Sequence, residues 1–152
     1  MIFLLLSAAA AQPDCYKLKD SVAKDECLLK QSVLDPAPNC ANQMTQFDMN
    51  VCSFIDFLRA DIDMNRAWKK AEAFAKDQDK ELRRSDPKAV DEYNRLLASQ
   101  RKWNAFKVAE CDVEAGPRES GGSMWAMNLN WCMKKLTDAR IAQLREYAEP
   151  AH

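Results

Sequence analysis

The fold of this chain is decided by residues 45–68, which have the sequence TQFDMNVCSFIDFLRADIDMNRAW. Large apolar side chains recur along this stretch in steps of three and four. They are Phe47, Val51, Phe54, Leu58 and Ile62, with Asn65 and Trp68 continuing the series. This spacing is typical of a helix with one buried face, and it predicts a long amphipathic α-helix.

The flanking residues indicate where this helix begins and ends. Thr45 is a good N-cap, and Asp48 resembles the second member of a capping box, with Asp in place of the usual Glu. No Gly or Pro occurs between Thr45 and Pro87, so the helix is expected to run for about 35 residues, or about 50 Å. Its second half, residues 69–84, is rich in Ala, Lys and Glu and is expected to be more exposed.

Three further helical patterns surround this one. Residues 15–34 have a short pattern that ends at two prolines, Pro36 and Pro38. A second long helix is expected from Pro87, a residue suited to a first turn, to about Gly116, and a third from about Ser123 to before Pro150. The whole chain has 152 residues and only three glycines. The predicted fold is therefore all-α: an elongated antiparallel bundle of about three main helices plus a short N-terminal helix.

Six cysteines predict disulfide staples and an oxidising compartment. They are Cys15, Cys27, Cys40, Cys52, Cys111 and Cys132. No Cys-x-x-Cys motif is present, so the usual zinc and redox patterns are missing. Sequence alone leaves all the pairings open, but the even spacing favours three local pairs in chain order. Because residues twelve apart lie about 18 Å apart on a straight helix, each early pair requires a turn between its members.

The N-terminal residues predict export. Met1–Ala11 is uncharged, with an apolar run followed by small residues, and resembles the end of a secretory signal cut after Ala11. We therefore expect a signal remnant at residues 1–11, a helical attachment at residues 12–39 and a main helical domain at residues 40–148. The mature chain is expected to have no transmembrane segment and to be periplasmic or secreted in the bacterial envelope.

Composition excludes several classes of function. The net charge is −1, with 30% charged residues of both signs, which argues against a nucleic-acid partner. The one histidine is the last residue, His152, and no glycine-rich phosphate loop occurs. We expect neither a catalytic centre nor a metal or other cofactor.

Four polar residues lie on the apolar stripes of the predicted helices: Asp61, Asn65, Gln100 and Arg140. Buried polar groups need hydrogen-bond partners. The favoured interpretation is a structural network between helices in which Arg140 pairs with Asp61. The alternative is a ligand pocket within the bundle.

Three stretches of the chain resemble the lysozyme inhibitor LprI-like family. The first covers residues 45–52 and 60–65, the second begins Gln100-Arg101-Lys102-Trp103 and continues to Cys111, and the third runs from Gly121 through Cys132 to Arg140. The likeness extends over about residues 40–145. Residues 15–39 lie outside it, and Trp68 stands where another aromatic such as Tyr is common. The resemblance implies a helical, secreted or periplasmic inhibitor.

Two functions are therefore expected from the sequence. The first is a protein that binds a lysozyme-type muramidase without catalysis, through a loop at residues 116–123 whose flanking cysteines would hold it rigid. The loop residues proposed for contact are Arg118, Glu119, Ser120, Gly121, Gly122 and Ser123. The alternative is an envelope module that binds another protein or the cell wall without inhibiting lysozyme, for which an exposed Trp68 or Trp125 would provide support.

Overall fold

The computed structural model describes residues 13–32, 37–86, 88 and 91–149. All regular secondary structure in this part of the chain is helical. A 3-10 turn at Cys15–Lys17 precedes α1 (Ser21–Gln31), which is followed by α2 (Gln46–Ser85) and α3 (Glu92–Ala115). A second 3-10 turn at Gly122–Met124 leads directly into α4 (Trp125–Ala148). The predicted all-α bundle of three main helices and a short N-terminal helix is confirmed. None of the described helices has both the length and the apolar character that crossing a bilayer requires.

Helix α2 is the longest element, with 40 residues, or about 60 Å. It begins as predicted: the Thr45 hydroxyl accepts the N–H of Asp48 at 3.0 Å and donates to the Asp48 carboxylate at 2.7 Å. The same carboxylate accepts the N–H of Asn39, so the cap also holds the segment that precedes the helix. Asp48 therefore stabilises the start of α2 without completing the usual capping box.

The three long helices pack in an up-down-up order. Helix α3 is antiparallel to α2, because Lys107 lies against Asp61 while the start of α3 lies against the end of α2. Helix α4 then runs parallel to α2, with Met127 beside Gln46. Further along the same pair, the Lys70 ammonium lies 3.2 Å from the carboxylate of Glu149. Successive helices are thus antiparallel, as the short connections predict.

The core lies between α2 and α4, with α3 closing one side. Its buried residues are Met64, Ala67, Ala71, Ile141 and Leu144, against which Trp68, Leu96, Trp103, Tyr147 and Ala148 pack. Alanines on α2 let α4 approach closely, since interaxial distance depends on the side chains at the contact. The edge of the Phe74 ring meets the Tyr147 ring, with 5.5 Å between centroids.

The predicted stripe on α2 was partly wrong. Phe47 is 55% exposed, whereas Ser53, Ala60 and Ala67 are buried. Helix α2 is covered by α1 on one side and by α3 and α4 on others, so small side chains are buried where no strong apolar pattern marks them. The expected exposure of residues 69–84 holds except at Ala71, Ala75 and Asp79.

Helix α3 begins later than the sequence suggested, at Glu92, and Pro87 lies outside the described residues. Its first N–H groups are accepted by two carboxylates. Asp91 accepts the N–H of Asn94, while Asp79 reaches across from α2 to the N–H groups of Glu92 and Tyr93 at 2.6 and 3.2 Å. Burial acts to raise the pKa of Asp79, but these backbone donors hold it below its ordinary value.

Three disulfides staple the chain, in the local pairing that the spacing favoured: Cys15–Cys27, Cys40–Cys52 and Cys111–Cys132. Their Cα atoms are 5.5, 5.5 and 5.4 Å apart. Each early pair joins a helix to the segment before it. In the first pair, the turn that the spacing requires lies at residues 18–20. Asp20, the last of these, is the N-cap of α1.

The Cys111–Cys132 disulfide joins α3 to α4 and is fully buried. Replacing both cysteines by serine is expected to lower the free energy of unfolding by about 2–4 kcal/mol, because the unfolded chain regains loop entropy. Urea unfolding of the double variant measures this. Equal stability of variant and parent would contradict it, and non-reducing peptide mapping checks the pairing.

Candidate functional site

A polar cluster lies where α1, α2 and α3 meet. The Lys107 ammonium of α3 is 3.3 Å from an Asp61 carboxylate oxygen on α2, and Lys107 is only 5% exposed. The Asn65 amide donates to Asp61 at 3.3 Å and to Asp25 of α1 at 3.5 Å. The Lys107 ammonium also lies over the rings of Phe57 and Trp103. Asp61 and Asn65 are thus brought together, as the sequence suggested.

The predicted pairing of Arg140 with Asp61 is wrong. Arg140 of α4 instead contacts α3, where its Nε donates to the Gln100 side-chain oxygen at 2.9 Å. Its terminal nitrogens donate to Gln143 and to Ser99. Burial lowers the pKa of Arg140. Gln100 contacts Arg140 and also borders the same space as Asp61 and Asn65, so it is the residue through which Arg140 adjoins the polar cluster, although Arg140 itself does not reach Asp61.

Sequence reasoning missed Lys107, Asp25 and Asp79, the three buried charged residues of the structure's described part. For Lys107 a signal was present, since it lies four residues from both Trp103 and Cys111 on the inner face of α3. Its neighbour Phe106 is the apolar residue at this point of the sequence, yet it is 51% exposed. A lysine on an apolar stripe between two inward residues indicates a buried ion pair.

The cluster borders a cavity of about 590 Å³. Its walls include Lys24 and Asp25 of α1, Asn65 of α2, and Arg101 and Asn104 of α3. Cationic, anionic and amide groups alternate around it. The cavity therefore has the polar lining that the pocket alternative required, and two of its five charged side chains, Lys107 and Asp61, form an ion pair with each other.

The Asp25 carboxyl has a pKa raised to about 7, first because burial disfavours its charged form and then because Asp61 lies beside it. Lys24 and Lys107 act in the opposite direction and offset only part of the shift. Between about pH 4 and pH 7 the Asp25 carboxyl keeps its proton in the folded protein, whereas the same group in the unfolded chain has lost its proton. Its stabilising effect is therefore complete below about pH 4 and is lost as pH rises to about 7.

We expect thermal stability to fall between about pH 4 and pH 7 through this group. Asp25→Asn, which resembles the protonated form, should raise the melting temperature at pH 8 and flatten the pH profile. Melting curves at several pH values measure this, with Asp56→Asn, an outlying carboxylate on α2, as the control. A variant profile as steep as that of the parent would contradict the role of Asp25.

The Lys107–Asp61 pair supplies a second test. Lys107→Ala leaves the partly buried Asp61 beside Asp25 without its counter-ion and should cost on the order of 3–5 kcal/mol at pH 7. The control is Lys134→Ala, which breaks the exposed Lys134–Asp138 pair on α4 and should cost no more than about 1 kcal/mol. Urea unfolding compares the two. Similar losses for both variants would mean that the cluster is not effectively buried.

The loop between α3 and α4 is held from several sides. The Gly116 carbonyl accepts the indole N–H of Trp125 at 2.9 Å, and the Pro117 carbonyl accepts the N–H groups of Ser120 and Gly121. The Ser123 carbonyl accepts the Asn50 amide of α2 at 2.9 Å. With the Cys111–Cys132 disulfide beneath it, the loop is a braced turn with an exposed tip at residues 117–120.

The glycines of this loop have different roles. Gly116 and Gly122 have φ of 74° and 56°, which favours glycine at both positions. Gly121 has an ordinary φ, but an added Cβ would lie 2.8 Å from Cβ of Trp125. The last helix, expected from about Ser123, begins at Trp125, and Met124 occupies the N-cap position without a side-chain hydrogen bond.

The Arg118 guanidinium lies over the Trp125 ring, 5.3 Å from its centroid. This contact orients Arg118. Glu119 and Ser120 are exposed beside it. Trp125 is therefore a support for the loop, and Trp68 packs against the core, so neither is the freely exposed aromatic that the alternative function called for.

Among the described residues, no group of three or more His, Cys, Asp or Glu side chains is placed to hold a metal ion. His152 lies outside those residues. The features that the structure brings to the surface are a braced loop and grooves between helices, which suit contact with another molecule.

The fold and the loop define a disulfide-stapled helical domain of the kind found outside the cytoplasm. Residues 37–144 match the family described as lysozyme inhibitor LprI, which is well over half of the chain. The chain belongs to this family. It is also 31% identical over 125 residues to an uncharacterized protein of Rhizobium meliloti (strain 1021). The aligned stretch covers 82% of this chain and 89% of that protein. No solved structure matches the chain.

Proposed function

We propose that this protein is a periplasmic or secreted inhibitor that binds a lysozyme-type muramidase without catalysing a reaction. Membership of a family described as lysozyme inhibitor LprI supports inhibition as the function. Export through the segment Met1–Ala11 is part of the proposal, and that segment lies outside the described residues. The division of the mature chain into an attachment at residues 12–39 and a main domain at residues 40–148 is also part of the proposal.

The observation that carries the proposal is the braced loop at residues 116–123. An inhibitor of a muramidase has to present a rigid group to a cleft that is lined by carboxylates. Long helices do not enter such a cleft easily, whereas a narrow loop does. The disulfide and the Trp125–Gly116 hydrogen bond keep this loop in one conformation, which lowers the entropy lost on binding.

Arg118 is the loop residue best suited to meet a carboxylate. A guanidinium forms two parallel hydrogen bonds with a carboxylate, and the contact with Trp125 already holds the side chain in place. Glu119 adds a hydrogen-bond acceptor next to it. Net charge contributes little, since −1 gives only weak long-range attraction to a basic lysozyme.

The test is a turbidity assay, in which a muramidase lyses a cell-wall suspension with and without this protein. We expect the parent to slow lysis and the double variant Arg118→Ala with Glu119→Ala to lose at least tenfold in potency. Both side chains are exposed, so helicity and melting temperature should not change.

A matched control is available on α4. Arg145 and Glu146 are the same adjacent pair of residue types, exposed, and about 30 Å along α4 from Trp125. Their double alanine variant should inhibit as well as the parent. If both double variants inhibit equally, the loop is only a connector. If the parent does not inhibit at all, the chain is instead an envelope module that binds another protein or the cell wall.

A further inference from the structure

A groove follows the contact between α3 and α4 on the outer side of the bundle. Near the loop it is a space of about 700 Å³ bordered by Val108 and Ala109 of α3 and by Trp125, Leu129 and Met133 of α4. This part, the apolar half, has a single carboxylate at its border, Asp112.

A second space of about 640 Å³ lies further along the same two helices. Arg95, Lys102, Trp103 and Phe106 of α3 border it, together with Arg140 of α4. None of the described residues that border it is acidic. We call this part the cationic half.

The two halves lie in line along the same two helices. Lys102, Ala105 and Ala109 follow one another in steps of three and four on α3, so they lie on one face. On α4, Met133 and Arg140 are two turns apart on one face. From Trp125 to Arg140 the groove is about 22 Å long, at about 1.5 Å per residue. Its apolar end begins at Trp125, the ring that supports Arg118.

The charge of the cationic half is unbalanced. Arg140 is partly buried, and its recorded partners Gln100, Gln143 and Ser99 are all neutral. Lys102 has no ion-pair partner among the described residues. Arg95 has only an exposed contact with Glu92 at 3.6 Å, a kind of pair that contributes little. A partly desolvated cation without a counter-ion attracts a carboxylate from outside.

We propose that this groove is the surface on which the partner docks, and that its occupant is a segment of the partner protein with apolar side chains followed by carboxylates. The inference rests on the proposed function, because the partner meant is the muramidase. The loop and the groove would then form one contiguous binding surface. In it the apolar half lies between Arg118 of the loop and the cationic half, both of which attract negative charge.

A glycan strand fits this groove less well. Sugar hydroxyls that enter the apolar half would lose water without gaining hydrogen bonds, which is unfavourable. A second copy of this chain also fits poorly, because a symmetric contact of two such grooves would place cationic halves against each other or against apolar surface. An apolar segment with acidic residues at one end satisfies both halves.

The experiment measures binding of the full chain to a chicken-type lysozyme by surface plasmon resonance, together with inhibition of lysis. Lys102→Glu and Val108→Asp alter the two halves at exposed positions, and each is expected to weaken binding at least tenfold. The effect of Lys102→Glu should lie mainly in the association rate and shrink at high salt. The effect of Val108→Asp should persist at high salt, because it disrupts apolar contact.

Two controls match these variants. Lys135→Glu reverses an exposed charge on the opposite face of α4, and Leu82→Asp alters an exposed apolar residue near the end of α2. Both should bind within twofold of the parent. Normal binding and inhibition by the two groove variants would overturn the inference and leave the proposed function standing. Failure of the parent to bind lysozyme would overturn both, and a parent dimer that Val108→Asp dissociates would assign the groove to self-association.

Discussion

The rest of the structure depends on the burial of α2 on several of its sides. Ala67 and Ala71 present a narrow surface along which α4 lies close and parallel. The parallel order places the start of α4 level with the start of α2. The connection from α3 must therefore turn beside the first turns of α2, where Asn50 hydrogen-bonds to its backbone. The position of the loop is thus a consequence of helix packing.

The attachment of α1 follows a different principle. Its ion pairs to α2, Glu26 with Arg66 and Asp20 with Lys69, are exposed and add little stability. The more consequential contact is Asp25, which is buried beside Asp61. Two carboxyls against one ammonium favour a retained proton, so the stability that this contact contributes varies with pH. This helix precedes the residues that match the family and is closed by its own disulfide, Cys15–Cys27.

The loop and the groove complement each other physically. A braced loop offers geometry at low entropic cost, but its tip is too small for strong binding alone. Stable protein interfaces bury on the order of 800 Å² on each partner. The groove supplies additional area with apolar and cationic sections, and Trp125 links the two, since its ring borders the groove while its N–H holds Gly116.

Local chemistry was sufficient to predict several elements. The cap at Thr45, the length of α2 within a few residues, and the three local disulfides followed from residue types and spacing, because each depends on neighbours within about a dozen positions. The family resemblance also came from short ordered motifs. The polar residues Asp61 and Arg140 were correctly identified as partly buried, yet their partners were assigned wrongly.

Only the tertiary structure decided those partners. Whether Arg140 or Lys107 neutralises Asp61 depends on the rotation of α3 about its axis. Each residue turns the helix by about 100°, so a shift of one position changes which side chain faces Asp61, and the sequence does not show which shift is correct. The cap that Asp79 forms on α3 and the raised pKa of Asp25 likewise require groups from different helices to meet. The sequence by itself determined helices, staples and family, because these are local. Packing determined which charges are buried together and which surface remains open, because these depend on the relative placement of whole helices.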